Sequence, residues 1–250
     1  TLPSEHSERG RASSAPQPPQ PIDSKIVFLH HSTGELVWRA GVREHIAQYN
    51  SRAGKRYAIA ARAYPDGKSY PWDNYPFDYW NIWVAHAGPN AYSGQATLEI
   101  LTREFDVIVL KHCFPVSAIE SDIGQLNPAS PRKSLENYRV QYMALRDKMR
   151  TFPKTRFLVW TGAALKRNAT NSEQAIRARA FVDWVKATWD EPGDNIFVWD
   201  FFGLETEGGV YLTDANATED SHPNEQFVAR VAPLLARRIV DVVEGRGDST

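Results

Sequence analysis

Four short apolar runs constrain this chain more than anything else in it. They are residues 25–30 (Lys-Ile-Val-Phe-Leu-His), 105–110, 156–160 and 195–199. Their apolar residues are consecutive rather than alternating, the pattern of strands covered on both faces. Each run stops abruptly in small or polar residues: His31-Ser32-Thr33-Gly34, Lys111-His112-Cys113, Thr161-Gly162 and Asp200. Residues 57–64, rich in alanine, form a weaker fifth run. Between the runs lie stretches with apolar residues at helical spacing: 35–50, 95–103, 134–152, 172–190 and 224–244. Doubly covered strands alternating with helices predict an α/β fold, a three-layer α/β/α sandwich around a central, mostly parallel sheet. Ligands of such sheets bind beyond the carboxyl ends of the strands. Ser32, His112 and Thr161 are therefore expected along one edge.

A chain of 250 residues with no internal repeat and no second linker is read as one domain, 25–244. Residues 1–24 are rich in proline, serine and charge, and are expected to be disordered, as is a polar tail at 245–250. The chain begins at Thr1. A processed export signal followed by a Pro-rich spacer explains that start and predicts an exported protein; an arbitrary boundary is the alternative. A net charge of −1 gives no bulk argument for nucleic acid or an anionic membrane. No apolar run approaches the ~20 residues that a membrane span needs. The single cysteine, Cys113, excludes an internal disulfide and a cysteine-based metal cluster.

The aromatic residues crowd into 65–83, where Tyr70, Trp72, Tyr75, Phe77, Tyr79, Trp80 and Trp83 are interleaved with prolines. Trp72, Tyr75, Tyr79 and Trp80 read as a substrate-binding wall suited to stacking on sugar rings. Equally, such a stretch packs as a loop held to the body by its own aromatics.

Two distant pieces of chain carry an order. A serine follows the first strand, and Glu219-Asp220-Ser221-His222-Pro223-Asn224 precedes the last helix. In this order the chain resembles the SGNH/GDSL hydrolase superfamily from Lys25 to Val243. It looks like a divergent branch. His30-His31-Ser32 stands where the usual block is Gly-Asp-Ser. Asn90-Ala91-Tyr92-Ser93-Gly94 resembles the second block. The third segment, residues 111–116, lacks the usual asparagine. In the fourth, Glu219 lies three residues before His222 and Asp220 two before it. The resemblance implies a flavodoxin-like α/β/α sandwich and an esterase needing no cofactor or metal. Ser32 would be the nucleophile and His222 the base, with Glu219 at the family spacing and Asp220 a chemically adequate rival for the triad acid. The oxyanion donors would be the Ser32 and Gly94 amides. His112 lies where the missing asparagine would be.

Chemistry supports the set and offers a plainer role for each member. A serine hydroxyl needs a base to become a nucleophile, and that base needs a carboxylate to fix its tautomer. Ser32 is equally a helix N-cap before Glu35, and His222 a surface residue in a turn. His112 is equally a buried histidine, and alternation turns Lys111 to the opposite side from it. Cys113 reads as a small core residue. His30 and His31 are adjacent on a strand and point apart, a poor chelating pair. Asn168-Ala169-Thr170 and Asn216-Ala217-Thr218 match glycosylation sequons, and Arg246-Gly247-Asp248 an adhesion tripeptide; at a polar terminus chance accounts for the last. The expected reaction is hydrolysis of a small-molecule or glycan ester, with an acylated carbohydrate preferred. The alternatives are acyl transfer to a glycan by the same triad, and an inactive glycan-binding module.

Overall fold

The computed structural model describes residues 21–71 and 74–247. In chain order the strands are β1 (Ser24–His30), β2 (Tyr57–Ala63), β3 (Val107–Leu110), β4 (Arg156–Trp160) and β5 (Ile196–Trp199). The helices are α1 (Ser32–Val37), α2 (Arg43–Ala53), α3 (Pro76–Trp80), α4 (Leu98–Glu104), α5 (Leu135–Arg150), α6 (Ser172–Trp184), α7 (Phe201–Thr206) and α8 (Glu225–Val243). The five strands form one parallel sheet in the order β2-β1-β3-β4-β5. β1 pairs with β3 from Ile26↔Val107 to Leu29↔Leu110.

Strand alternation sorts the core into two halves. Val27 and Leu29 of β1, with Ile108 and Leu110 of β3, face a layer that includes Tyr79, Leu98, Tyr138, Tyr142 and Phe181. Ile26, Phe28, Val107 and Val109 face the other layer, where Val37, Ile46, Phe227, Val231 and Leu235 pack. Helices α3 to α6 therefore cover one face, and α1, α2 and α8 the other. This is the expected three-layer α/β/α sandwich. Among the described residues no helix is long and apolar enough to cross a membrane.

The fold begins slightly before the predicted boundary. The backbone amide of Asp23 donates to the Arg56 carbonyl, Asp23 pairs with the Arg56 guanidinium, and Ser24 already stands opposite Tyr57. Most of the expected disorder at 1–24, and residues 248–250 of the expected tail, lie outside the described residues. Gly245–Gly247 are bonded to α8: the Arg246 guanidinium pairs with Asp241, and Arg238 donates to the Gly247 carbonyl.

Of the two readings of the aromatic stretch, packing on the body by its own aromatics fits Tyr75 and Tyr79, in a helix rather than a loop. Pro76 occupies the first helical position, where its missing N–H costs nothing, so the prolines start α3 rather than forbid it. The chain continues helically through Asn81–Ala85. Tyr79, Ile82 and Trp83 then share one face and are fully buried. The Tyr79 hydroxyl donates to the Lys111 carbonyl at 3.0 Å. Tyr75 is also buried, its hydroxyl donating to the Pro131 carbonyl at 3.0 Å. Trp80 is partly buried, packed on Phe77. Tyr75 and Tyr79 are core residues and present no ring to a substrate. Trp72 lies outside the described residues. We expect Tyr79→Ala to destabilise the fold by about 3–5 kcal/mol, the usual cost of emptying a large aromatic site, in urea unfolding. A substrate-wall role would instead weaken substrate binding and leave the unfolding midpoint in place.

Candidate active site

Ser32 stands at a sharp strand-to-helix turn. β1 ends at His30, His31 is extended (φ −137°, ψ 172°), and Ser32 opens α1. The turn is tight enough to require a residue without a side chain. A Cβ on Gly34 would lie 2.6 Å from His30 Cβ and 2.7 Å from Lys111 Cδ. The His31 carbonyl accepts from the Gly34 amide at 2.7 Å and from Lys111 Nζ at 3.0 Å. Lys111 Nζ also donates to Cys113 Sγ at 2.8 Å, and Cys113 Sγ lies 3.2 Å from Ser32 Oγ. Lys111 is wholly buried and Cys113 nearly so. A serine, a thiol and an ammonium thus form one contiguous cluster at the carboxyl edge of β1 and β3.

His222 arrives on a locally built loop. The Asp220 carboxylate accepts the His222 backbone amide at 2.8 Å and the Thr218 hydroxyl at 2.8 Å, and lies 2.9 Å from His222 Nδ1. These bonds, the His222 amide first, hold the Asp220 pKa down to about 2. With Nδ1 donating to the carboxylate, Nε2 is left as the basic nitrogen. Glu219 is exposed and makes no polar contact among the described residues. Asp220, not the residue at the family spacing, is therefore the acid on the ring. The loop is moored by the Lys166 amide donating to Ser221 Oγ at 3.1 Å, and by Asn224, whose side chain caps α8.

Ser32 and His222 come to the two sides of one segment without bonding each other. Ser32 touches Cys113, and the His222 ring lies edge-on to Phe114, centroids 5.0 Å apart at 85°. His222 Nε2 has no hydrogen-bond partner among the described residues. Ser32 and His222 thus stand beside consecutive residues of the segment that follows β3.

The other expected donors lie elsewhere. His112 is fully buried in the opposite layer, its Nε2 2.6 Å from the Tyr142 hydroxyl and its ring edge-on to Tyr79 at 5.2 Å. Burial, aided by the nearby Lys111 charge, pushes its pKa down to about 3. Lys111 and His112 do diverge, and it is Lys111 that reaches the Ser32 turn. The physical reason is parity: Lys111 continues the row of Val107 and Val109, which faces α1 and α8. Gly94 (φ +75°) sits in a turn against Ser69, and Gln95 ties it to Asp66 and Ser69. The loop that touches the Ser32 turn itself is the one leaving β2, where the Pro65 carbonyl meets the His31 ring. That loop includes Gly67, also at positive φ (+70°), which the sequence reading passed over. His30 turns the other way, its ring 4.9 Å from that of Phe28, and burial lowers its pKa to about 4.

One buried acid had no signal in the sequence. Glu205 on α7 accepts the Ala164 amide at 2.6 Å through Oε2, and its Oε1 is unpartnered among the described residues. Burial pushes its pKa up to about 8, against the opposing pull of the Ala164 amide and the Lys111 charge. α7 was not expected, so nothing placed this residue beneath the rim.

No protein-family model matches the chain, and no curated protein does. Among solved structures it is similar to the psychrotrophic esterase EstA from Pseudoalteromonas sp., inhibited by monoethylphosphonate. The identity is 11%, the TM-score 0.46, and the match covers 89% of this chain and 98% of that one. A likeness at this level carries no functional argument, which rests on the side chains.

Glu205 yields a pH prediction. Its folded pKa of about 8 exceeds the ordinary 4.5, so the folded protein holds this proton more tightly than the unfolded chain. Its contribution to stability is present below the ordinary pKa and is lost as pH rises through the folded one. Glu205→Gln keeps an acceptor for Ala164 and removes the titration. Calorimetric melting between about pH 5 and 8 should then show a flatter decline in Tm for the variant than for the parent.

Proposed function

We propose that this protein is a serine esterase acting through Ser32, His222 and Asp220. The observation that carries the reading is the meeting of two independently built halves on segment 113–114: a serine in a strand-to-helix turn, and an imidazole already paired with a carboxylate. His222 Nε2 takes the Ser32 proton as Oγ attacks the ester carbonyl. The tetrahedral oxyanion forms beside the Ser32 amide, which at the first turn of α1 has no acceptor within the helix. Collapse expels the alcohol, which leaves with the proton from His222. Water then attacks the acyl-serine, giving its proton to His222, and the carboxylic acid departs as Ser32 is restored. The Asp220 carboxylate holds the ring in the productive tautomer and offsets its charge while it is protonated. Proton transfer requires Ser32 Oγ, which lies beside Cys113 Sγ, to come within hydrogen-bond reach of His222 Nε2.

The finer reading is an acylated carbohydrate as substrate, with water rather than a sugar hydroxyl as acceptor. Tyr75 and Tyr79 give it no stacking surface, so it rests on the superfamily resemblance alone.

A fluorophosphonate should form a covalent bond to Ser32 with loss of fluoride, mapped by peptide mass spectrometry and absent from His222→Ala. On p-nitrophenyl acetate, Ser32→Ala and His222→Ala should each lower kcat by at least about 10³-fold. Asp220→Asn should cost less than either, and Glu219→Gln no more than about twofold. A folded parent that neither labels at Ser32 nor hydrolyses an ester sinks the proposal, as does labelling confined to another residue.

A further inference from the structure

We infer that Lys111 is a positioning residue for the Ser32 nucleophile, its ammonium fixing the turn before the serine and holding positive charge behind it. The inference rests on the esterase reading above.

Lys111 is wholly buried. Burying an ammonium is costly unless it is paired and hydrogen-bonded. A lysine serving the fold alone would be expected to end on a carboxylate. Lys111 ends instead on the His31 carbonyl at 3.0 Å and on Cys113 Sγ at 2.8 Å. Both acceptors adjoin the nucleophile. One belongs to the peptide joining His31 to Ser32, and the other lies 3.2 Å from Ser32 Oγ. The first turn of α1 is shaped around the lysine stem, because Gly34 has no Cβ to meet Lys111 Cδ.

The buried acid Glu205, whose titration Lys111 influences, forms no ion pair with it. Glu205 spends Oε2 on the Ala164 amide and makes no salt bridge with Lys111. Its raised pKa keeps it largely protonated at neutral pH. His30 and His112, on the two sides of the same strand ends, are neutral there for the same reason of burial. Lys111 Nζ is thus held beside the Ser32 turn by two hydrogen bonds in a poorly screened setting, with no carboxylate paired to it among the described residues. Negative charge appears beside Ser32 Oγ only as the tetrahedral species forms, so such a cation favours that state over the bound ester.

The test compares Lys111→Met, Cys113→Val and Cys113→Ser with the parent, using p-nitrophenyl acetate and a fluorophosphonate below each variant's melting temperature. Lys111→Met keeps the length of the stem and removes the charge. It should lower kcat by about 10²-fold, leave KM within about threefold, and slow labelling of Ser32 in parallel. Cys113→Val breaks the link from ammonium to serine and should cost about tenfold in kcat. Cys113→Ser, which keeps an acceptor and a donor there, should lose less. A folded Lys111→Met that keeps its kcat, with only Tm reduced, assigns the lysine to the fold and overturns the inference. If Lys111→Met does not fold, the cysteine pair decides: equal rates for the valine and serine variants overturn it. A parent that neither labels nor turns over overturns the esterase reading and this inference with it, whereas an active parent beside an unaffected lysine variant overturns this inference alone.

Discussion

Leu29 stands opposite Leu110 where β1 pairs with β3, and this register decides which side chains meet beyond the strand ends. Lys111 is the next residue along β3, and His31 and Ser32 follow two and three residues after Leu29. Because successive strand residues point to opposite faces, a slip of one position would bury the His112 ring under α1 and send the lysine into the aromatic layer. Both halves of the core resist that slip. Phe28 and Val109 are packed against one helical layer, and Leu29 and Leu110 against the other. The apolar rows that make the sheet also aim an ammonium at the Ser32 turn, so stability and site geometry have one cause.

The layers were legible because a doubly covered strand leaves a continuous apolar run, and four of the five strands do so. β2 is less well buried along its length and lies at the sheet edge, so its pattern is weak. The glycine sought near Ser32 was assigned to Gly94 by resemblance, while the loop leaving β2 also carries Gly67 at positive φ. The aromatic stretch carried two even readings, and the helix that starts at Pro76 takes the packing one. Once α3 forms, Tyr79 and Trp83 fall on the apolar face that the layer needs. Parity along β3 separated Lys111 from His112 in the sequence. Which of the two faces Ser32 depends on the layer that α1 joins, and that is a tertiary fact. Likewise, spacing favours Glu219, whereas the turn made by Asp220 accepting the His222 amide brings the nearer acid onto the ring.

Burial sets the electrostatics around β3. His30 and His112 lose their protons and Glu205 keeps its own. Each is a response to the same penalty, which suppresses whichever form is charged. Lys111 Nζ, on the same strand end, has two acceptors fixed around it, the His31 carbonyl and Cys113 Sγ. Phe28 and Trp160, stacked with centroids 5.2 Å apart, belong to the same core half as Val109, and such packing keeps the floor of the site dry. A dry floor strengthens any charge fixed above it. The same dryness makes an unpaired group expensive, as the orphaned Oε1 of Glu205 illustrates.

The two halves of the site are built by opposite strategies. The serine half is a product of the sheet, buried, held by residues 80 positions apart in the chain, and intolerant of a single added carbon at Gly34. The imidazole half is a product of one turn, with Asp220 largely exposed and bonded to residues only two positions away. An exposed polar contact between residues two positions apart contributes little to stability, so the Asp220–His222 contact is better explained by what it does to the ring than by what it does to the fold. It selects a tautomer and an orientation of the ring at small cost. Ser32 is held by the sheet and His222 by a local turn, and the two lie beside consecutive residues, Cys113 and Phe114.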